Sequence, residues 1–263
     1  IIDNLTKAGQ RLMGFCKSTF FKRMDSCGFS FLLTLYRHVL RNMIYLYAIE
    51  NKLPLPIGDE GSIPDDFYED ADTNGLFVED TEGRMSISSS MIHVPQDQSE
   101  YKQKAQDYYN AISMKSGITW LDSKYFKPSL KKHLKEDTQI ILNMIAHCGD
   151  WNAATDEKLN DLEKLLTTEH VNEKVLIFTQ YSDTARYIYE QLAQRGIKQL
   201  AYVSGDTQNV TSMVERFSPK SNGKEEVNDE LRVLIAKTFY QRVRTYKTPI
   251  SLSTSTCLGR LFV

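Results

Sequence analysis

Residues 174–207 read KVLIFTQYSDTARYIYEQLAQRGIKQLAYVSGDT. Lys174–Tyr181 holds a short, nearly continuous apolar run rich in β-branched and aromatic residues. Such a run predicts a strand buried on both faces of a parallel sheet. A helix is expected from Asp183 to Arg195, with Ala185, Ile188, Tyr189 and Leu192 inward and Gly196 as its stop. Gln199–Asp206 predicts a second strand, Met213–Phe217 a short helix and Leu231–Ala236 a third strand. Strand, helix, strand, helix, strand implies right-handed crossovers and a parallel α/β sheet.

Upstream the period changes. Leu32, Leu35, Tyr36, Val39, Leu40, Met43, Ile44 and Tyr47 recur at three- and four-residue spacing, which predicts a helix. Ser26 offers its start signal, and Pro54 and Pro56 its stop. Two more helices are expected over about Tyr101–Ser113 and Pro128–His147. The second is basic at its start and apolar at Ile140, Ile141, Met144 and Ile145. A third, Glu157–Leu166, carries Leu159, Leu162, Leu165 and Leu166 on one face, capped by Asp156 or Thr155.

The chain has 263 residues, 41% of them hydrophobic, with 32 bases against 34 acids. It is long enough for one or two domains with a sizeable core. No apolar run reaches the ~18–20 residues of a membrane-spanning helix, and no signal peptide is visible. The chain starts at Ile1 without a Met, which reads as a fragment or a trimmed product. Cys16, Cys27, Cys148 and Cys257 form no CxxC pair. Free thiols in a reducing cytoplasm are the expectation. His38, His133, His147 and His170 lack an i,i+4 metal spacing. Charge is unevenly spread: residues 1–58 carry +5, 59–100 carry −11, 101–236 carry −1 and 237–263 carry +5. The segment 59–100 reads as a long acidic loop, largely disordered and solvated. The competing reading is an arm that mimics DNA or masks a basic site.

In an open parallel sheet, ligands bind beyond the carboxyl ends of the strands. Those ends are Thr179-Gln180-Tyr181-Ser182-Asp183, Ser204-Gly205-Asp206-Thr207, and the residues after Ala236. Hydroxyls, an amide and backbone N–H groups at helix starts suit phosphate oxygens; the same residues also end strands as ordinary turn formers. The sequence has no GxxxxGK[ST] loop, no GxSxG and no HExxH, and no Asp-Glu pair at a strand end to hold magnesium. No complete catalytic site is expected in it.

Several segments resemble one family. LIFTQYSDTARYIYEQLAQRG, followed by Ser204-Gly205-Asp206-Thr207, resembles the second RecA-like lobe of superfamily-two helicases, above all the Swi/Snf-type helicase-like ATPases. Phe21-KRMDSCGFSF resembles the family's "KRLESS..AF" segment between the two lobes. Asp156-EKLNDLEKLL resembles its "D.KL..L..LL" helix. Arg216-FSPKSN resembles a branch of bacterial helicase-related proteins, some with a phospholipase-D-like domain. The resemblance covers residues 10–58 and about 118–236. It implies that Thr179, Gln180, Tyr181 and Ser182 line the nucleic-acid groove, and that Ser204, Gly205, Asp206 and Thr207 contact backbone phosphates. The family often places an Arg shortly after that glycine. Here the first is Arg216, which leaves its phosphate contact open. Lys22 and Arg23 either touch DNA or salt-bridge a helix.

After Val233–Ala236 the family continues with "L.EG.NLQ" and "..DLPW". Here residues 237–263 read KTFYQRVRTYKTPISLSTSTCLGRLFV, with no acid and no apolar period. Taking each wobble base from Phe239 onward with the next two bases permits LSEGQNLQDAHIVINFDLPWAIIR. A reading frame shifted near Lys237 is therefore expected, the alternative being a real basic tail that binds DNA. Codons incompatible with that peptide would sink the idea.

The expected organisation is a helical inter-lobe region (1–58), the acidic insert (59–100), a helical linker region (101–169), a partial second RecA-like lobe (170–236) and an out-of-frame tail (237–263). The expected function is a truncated piece of an ATP-dependent DNA helicase or translocase, bacterial in type. It is inactive alone and grips DNA in an intact parent whose N-terminal RecA-like lobe, missing here, completes the site for ATP and Mg²⁺. The alternative is a non-catalytic α/β module for nucleic acid or a partner.

Overall fold

A computed structural model of the chain describes residues 20–57, 91–92, 98–114, 119–203, 207, 209–223, 229–237 and 261–262. It is a mixed α/β protein of two units, residues 1–152 and 153–263. Among the described residues no helix is long and apolar enough to cross a membrane.

In the first unit, helix α1 (Gly28–Glu50) carries the expected stripe. Leu32, Leu35, Tyr36, Val39, Leu40, Met43 and Ile44 are buried, and Tyr47 sits half-buried at the stripe's edge. Ser26 is not its cap. Residues 20–26 are themselves helical, and extended Cys27 joins the two stretches, with Phe31 N–H donating to its carbonyl at 3.0 Å. The helix ends before either proline. Asn51 Nδ2 donates to Tyr47 O at 2.8 Å, Leu53 N–H donates to Ala48 O at 2.8 Å, and Lys52 turns the chain at φ 55°.

Helices α2 (Gln98–Ser113) and α3 (Ser129–Cys148) pack on α1. The buried face of α3 is Leu134, Thr138, Ile141, Leu142 and Ile145, whereas Ile140 and Met144 face solvent. The 3.6-residue period runs through Thr138, whose hydroxyl donates to Leu134 O at 2.7 Å and so buries without loss. Two short antiparallel ladders complete the unit: β1 (Leu55–Ile57) with β3 (Thr119–Leu121), and β2 (Met91–Ile92) with β4 (Trp151–Asn152). Most of the acidic segment lies outside the described residues; β2 and the first turn of α2 fall within it.

The second unit starts upstream of the expected seam at 170. Asp156 caps α4 (Glu157–Lys164), its Oδ1 accepting from Leu159 N–H at 3.2 Å. Its Oδ2 accepts from the Tyr187 hydroxyl at 2.8 Å. Arg195 donates to Glu163 Oε2 (2.5 Å), Asn160 Oδ1 (2.8 Å) and Ala153 O (2.8 Å). These bonds tie α4 to α5 (Ser182–Gln194), and hence residues 153–169 to the sheet. The strands β5 (Val175–Thr179), β6 (Leu200–Val203), β7 (Val233–Lys237) and β8 (Leu261–Phe262) stand in the order β6-β7-β5-β8, all parallel. Helix α6 (Val210–Phe217) joins β6 to the chain leading into β7.

The two connecting helices take opposite faces of the sheet. Tyr189 of α5 meets Tyr202 at 5.0 Å between ring centroids. Met213 and Phe217 of α6 pack with Ala201, Val203, Leu234 and Leu176. Strand alternation puts Phe178 on the α6 face with Leu176. The eight-residue α6 leaves it 38% exposed, so β5 is not sealed on both faces. On α5, Ala185, Tyr187, Ile188 and Leu192 are buried; Tyr187 takes the inward place expected of Tyr189, which is half-buried.

Candidate nucleic-acid interface

All four strands point their carboxyl ends to one edge. The register there pairs Thr179 with Lys237, Phe178 with Ala236, and Ala236 with Val203. The loop after β5 therefore lies beside the end of β7, and β6 ends at Val203 on the same edge.

The sequence-predicted residues divide in this geometry. Thr179, Tyr181 and Ser182 are buried, at 2%, 3% and 5% exposure, while Gln180 is exposed. Tyr181 occupies the N-cap position of α5 through its backbone: its carbonyl accepts from Ala185 N–H at 3.0 Å, and its own N–H donates to Thr179 Oγ1 at 3.5 Å. The three buried residues thus shape the turn, and Gln180 alone of the four has an exposed side chain. Asp183 lies in the first turn of α5 and offsets the positive end of the helix dipole. Thr207 is half-buried; Ser204, Gly205 and Asp206 lie outside the described residues.

Arg216 belongs to the other edge. It closes α6, its guanidinium pairs with the Asp229 carboxylate, and its Nε donates to Asp229 O at 2.9 Å. Its carbonyl accepts from Leu231 N–H at 3.0 Å, just before β7 begins. It braces the amino end of the sheet and does not reach the carboxyl edge. In the first unit, Lys22 is exposed but Arg23 is 2% exposed, which removes Arg23 from any surface contact. Lys237 directly follows Ala236, at the third strand end and the boundary of the basic tail, where no local pattern singles out its side chain. Its pairing with Thr179 puts a half-buried cation at the carboxyl edge.

The resemblance implies ATP and Mg²⁺ only for an intact parent. Among the described residues no three His, Cys, Asp or Glu side chains could hold a metal ion. The sequence also lacks the glycine-rich lysine loop that would cradle the phosphates. Cys27 and Cys148 form no disulfide; Cys16 and Cys257 lie outside the described residues. No family model, curated protein or solved structure matches the chain.

Proposed function

We propose that this chain is a nucleic-acid-gripping part of a Swi/Snf-type, RecA-like DNA helicase or translocase, holding DNA phosphates at the carboxyl edge of its sheet. The observation that carries this reading is the parallel order β6-β7-β5, with Gln180 exposed and Lys237 alongside at one edge. The Gln180 amide donates to a phosphate oxygen, Lys237 supplies charge, and buried Thr179, Tyr181 and Ser182 fix the turn that aims them. A non-hydrolytic binding module is the second reading, favoured by the absence of a phosphate loop from the sequence.

The test is duplex DNA binding by the full chain, followed by fluorescence anisotropy across a salt series. Gln180→Ala is expected to weaken binding about two- to tenfold, the worth of one modest hydrogen bond. Lys237→Ala should reduce the slope of log affinity against log salt by about 0.9. Binding unchanged by both substitutions would overturn the site.

A further inference from the structure

Residues 124–135 hold five lysines and no acid. The strand β3 ends just before them, and its pairing with β1 fixes where they start. Ser123–Tyr125 forms a short turn, with Lys124 N–H donating to Asp122 Oδ1 at 3.0 Å and Tyr125 N–H to Asp122 O at 3.1 Å. The turn holds the Tyr125 ring out at 67% exposure, with Lys124 Nζ 5.0 Å from its centroid. Lys131 and Lys135 share one carboxylate, each 3.1 Å from Glu50 Oε1, so that corner keeps excess positive charge. Lys131 and Lys132 lie in the first turn of α3, which has no acid and no side-chain cap. Lysines at the positive end of a helix dipole oppose folding. The fold tolerates this arrangement, and an anionic partner would relieve it. The Lys124–Asp122 and Lys132–Glu136 pairs are exposed, so phosphate can displace them at little cost.

We propose that Lys124, Tyr125, Lys127 and Lys132 form a surface for single-stranded nucleic acid, on which phosphates meet the lysines and a base stacks on Tyr125. A duplex keeps its bases stacked away from such a ring, and an acidic polypeptide has no use for its face; a single strand uses both features. The surface lies wholly in the first unit, shares no residue with the sheet edge and does not depend on the reading of that edge.

The experiment titrates the full chain against a labelled oligothymidylate of about 20 nucleotides, longer than a typical single-strand footprint. Melting followed by circular dichroism checks that each variant is folded. The triple variant Lys124→Gln, Lys127→Gln, Lys132→Gln should bind more weakly, with a salt slope lower by about 2. Tyr125→Ala should lose about five- to a hundredfold in affinity with the slope unchanged. Gln180→Ala should bind the oligothymidylate as the unmutated chain does, so failure of the sheet-edge site is told apart from failure of this one. No binding by the unmutated chain at low salt, or binding unaltered in the triple variant, overturns the proposal. So does displacement by polyglutamate combined with an indifferent Tyr125→Ala, which marks a general polyanion surface.

Discussion

At the scale of single residues, two positions carry consequences beyond their size. Gly28 opens α1 against Trp151: a Cβ there would fall 2.5 Å from Trp151 Cζ3 and 2.9 Å from Cη2. Alanine would gain up to ~1 kcal/mol of helix propensity. Overpacking against the indole costs about 1–3 kcal/mol, so Gly28→Ala should lower the melting temperature. Trp151→Leu in the same chain should recover part of that loss, and a Gly28→Ala protein as stable as its parent would refute the clash. His38 is the second position. Burial and the neighbouring Arg41 push its pKa down to about 3, and Arg41 Nη2 donates to its Nδ1 at 2.8 Å. A protonated ring cannot accept that bond. Between pH 6.5 and 3 the unfolded chain therefore takes up a proton that the folded chain refuses. Stability from this group is complete above pH 6.5 and falls as the solution is acidified, by about 2 kcal/mol at pH 5. Denaturant titrations at pH 7 and pH 5 check it: His38→Gln, which keeps an acceptor for Arg41, should shrink the difference between the two.

At the scale of elements, Asp156 decides where the second unit begins. One carboxylate oxygen caps α4 and the other receives the Tyr187 hydroxyl from α5. Asp156→Ala removes both, at about 1–2 kcal/mol for the cap and ~1 kcal/mol for the half-buried bond. Tyr187→Phe removes only the second. The expected order of melting temperatures is parent, Tyr187→Phe, then Asp156→Ala, and the double variant should lose less than the two singles together. Strict additivity would mean that the bond contributes nothing. The capping residue was legible because Asp precedes a leucine-periodic run; the docking was not, because no local pattern encodes a hydroxyl 31 residues away. The same limit explains α3. Ile140 and Met144 are as apolar as Ile141 and Ile145, and only packing on α1 selects which pair is buried. Three of the four strands of the sheet, β5, β6 and β7, were readable as short apolar runs set between helical segments, whereas β1 and β3, three residues each with a proline in one, carry too little pattern to announce themselves.

At the scale of the whole molecule, the near-neutral net charge of −2 conceals a lysine-rich stretch, residues 124–135, in the first unit, while the carboxyl edge of the sheet holds the single lysine Lys237. The sheet edge was legible as a place, because the strand–helix–strand order sends parallel strands out with their carboxyl ends on one side. Which side chains it exposes was not, since hydroxyl and aromatic residues at a strand end can equally build the turn, as Thr179, Tyr181 and Ser182 do. What the chain can do with nucleotide follows from composition and geometry together. Phosphoryl transfer relies almost wholly on positioning and charge: a lysine and backbone cradle for the phosphates, a carboxylate or hydroxyl on magnesium, and an arginine finger worth about 10³–10⁵ in rate. The sequence has no such cradle, no metal cluster occurs among the described residues, and Arg216 is engaged by Asp229 at the far edge. The expected outcome is DNA binding without catalysis: phosphate release from ATP by the purified 263-residue chain stays at the buffer rate with or without DNA. Turnover stimulated by DNA, and abolished by Gln180→Ala, would show instead that the chain assembles a nucleotide site from residues outside those described.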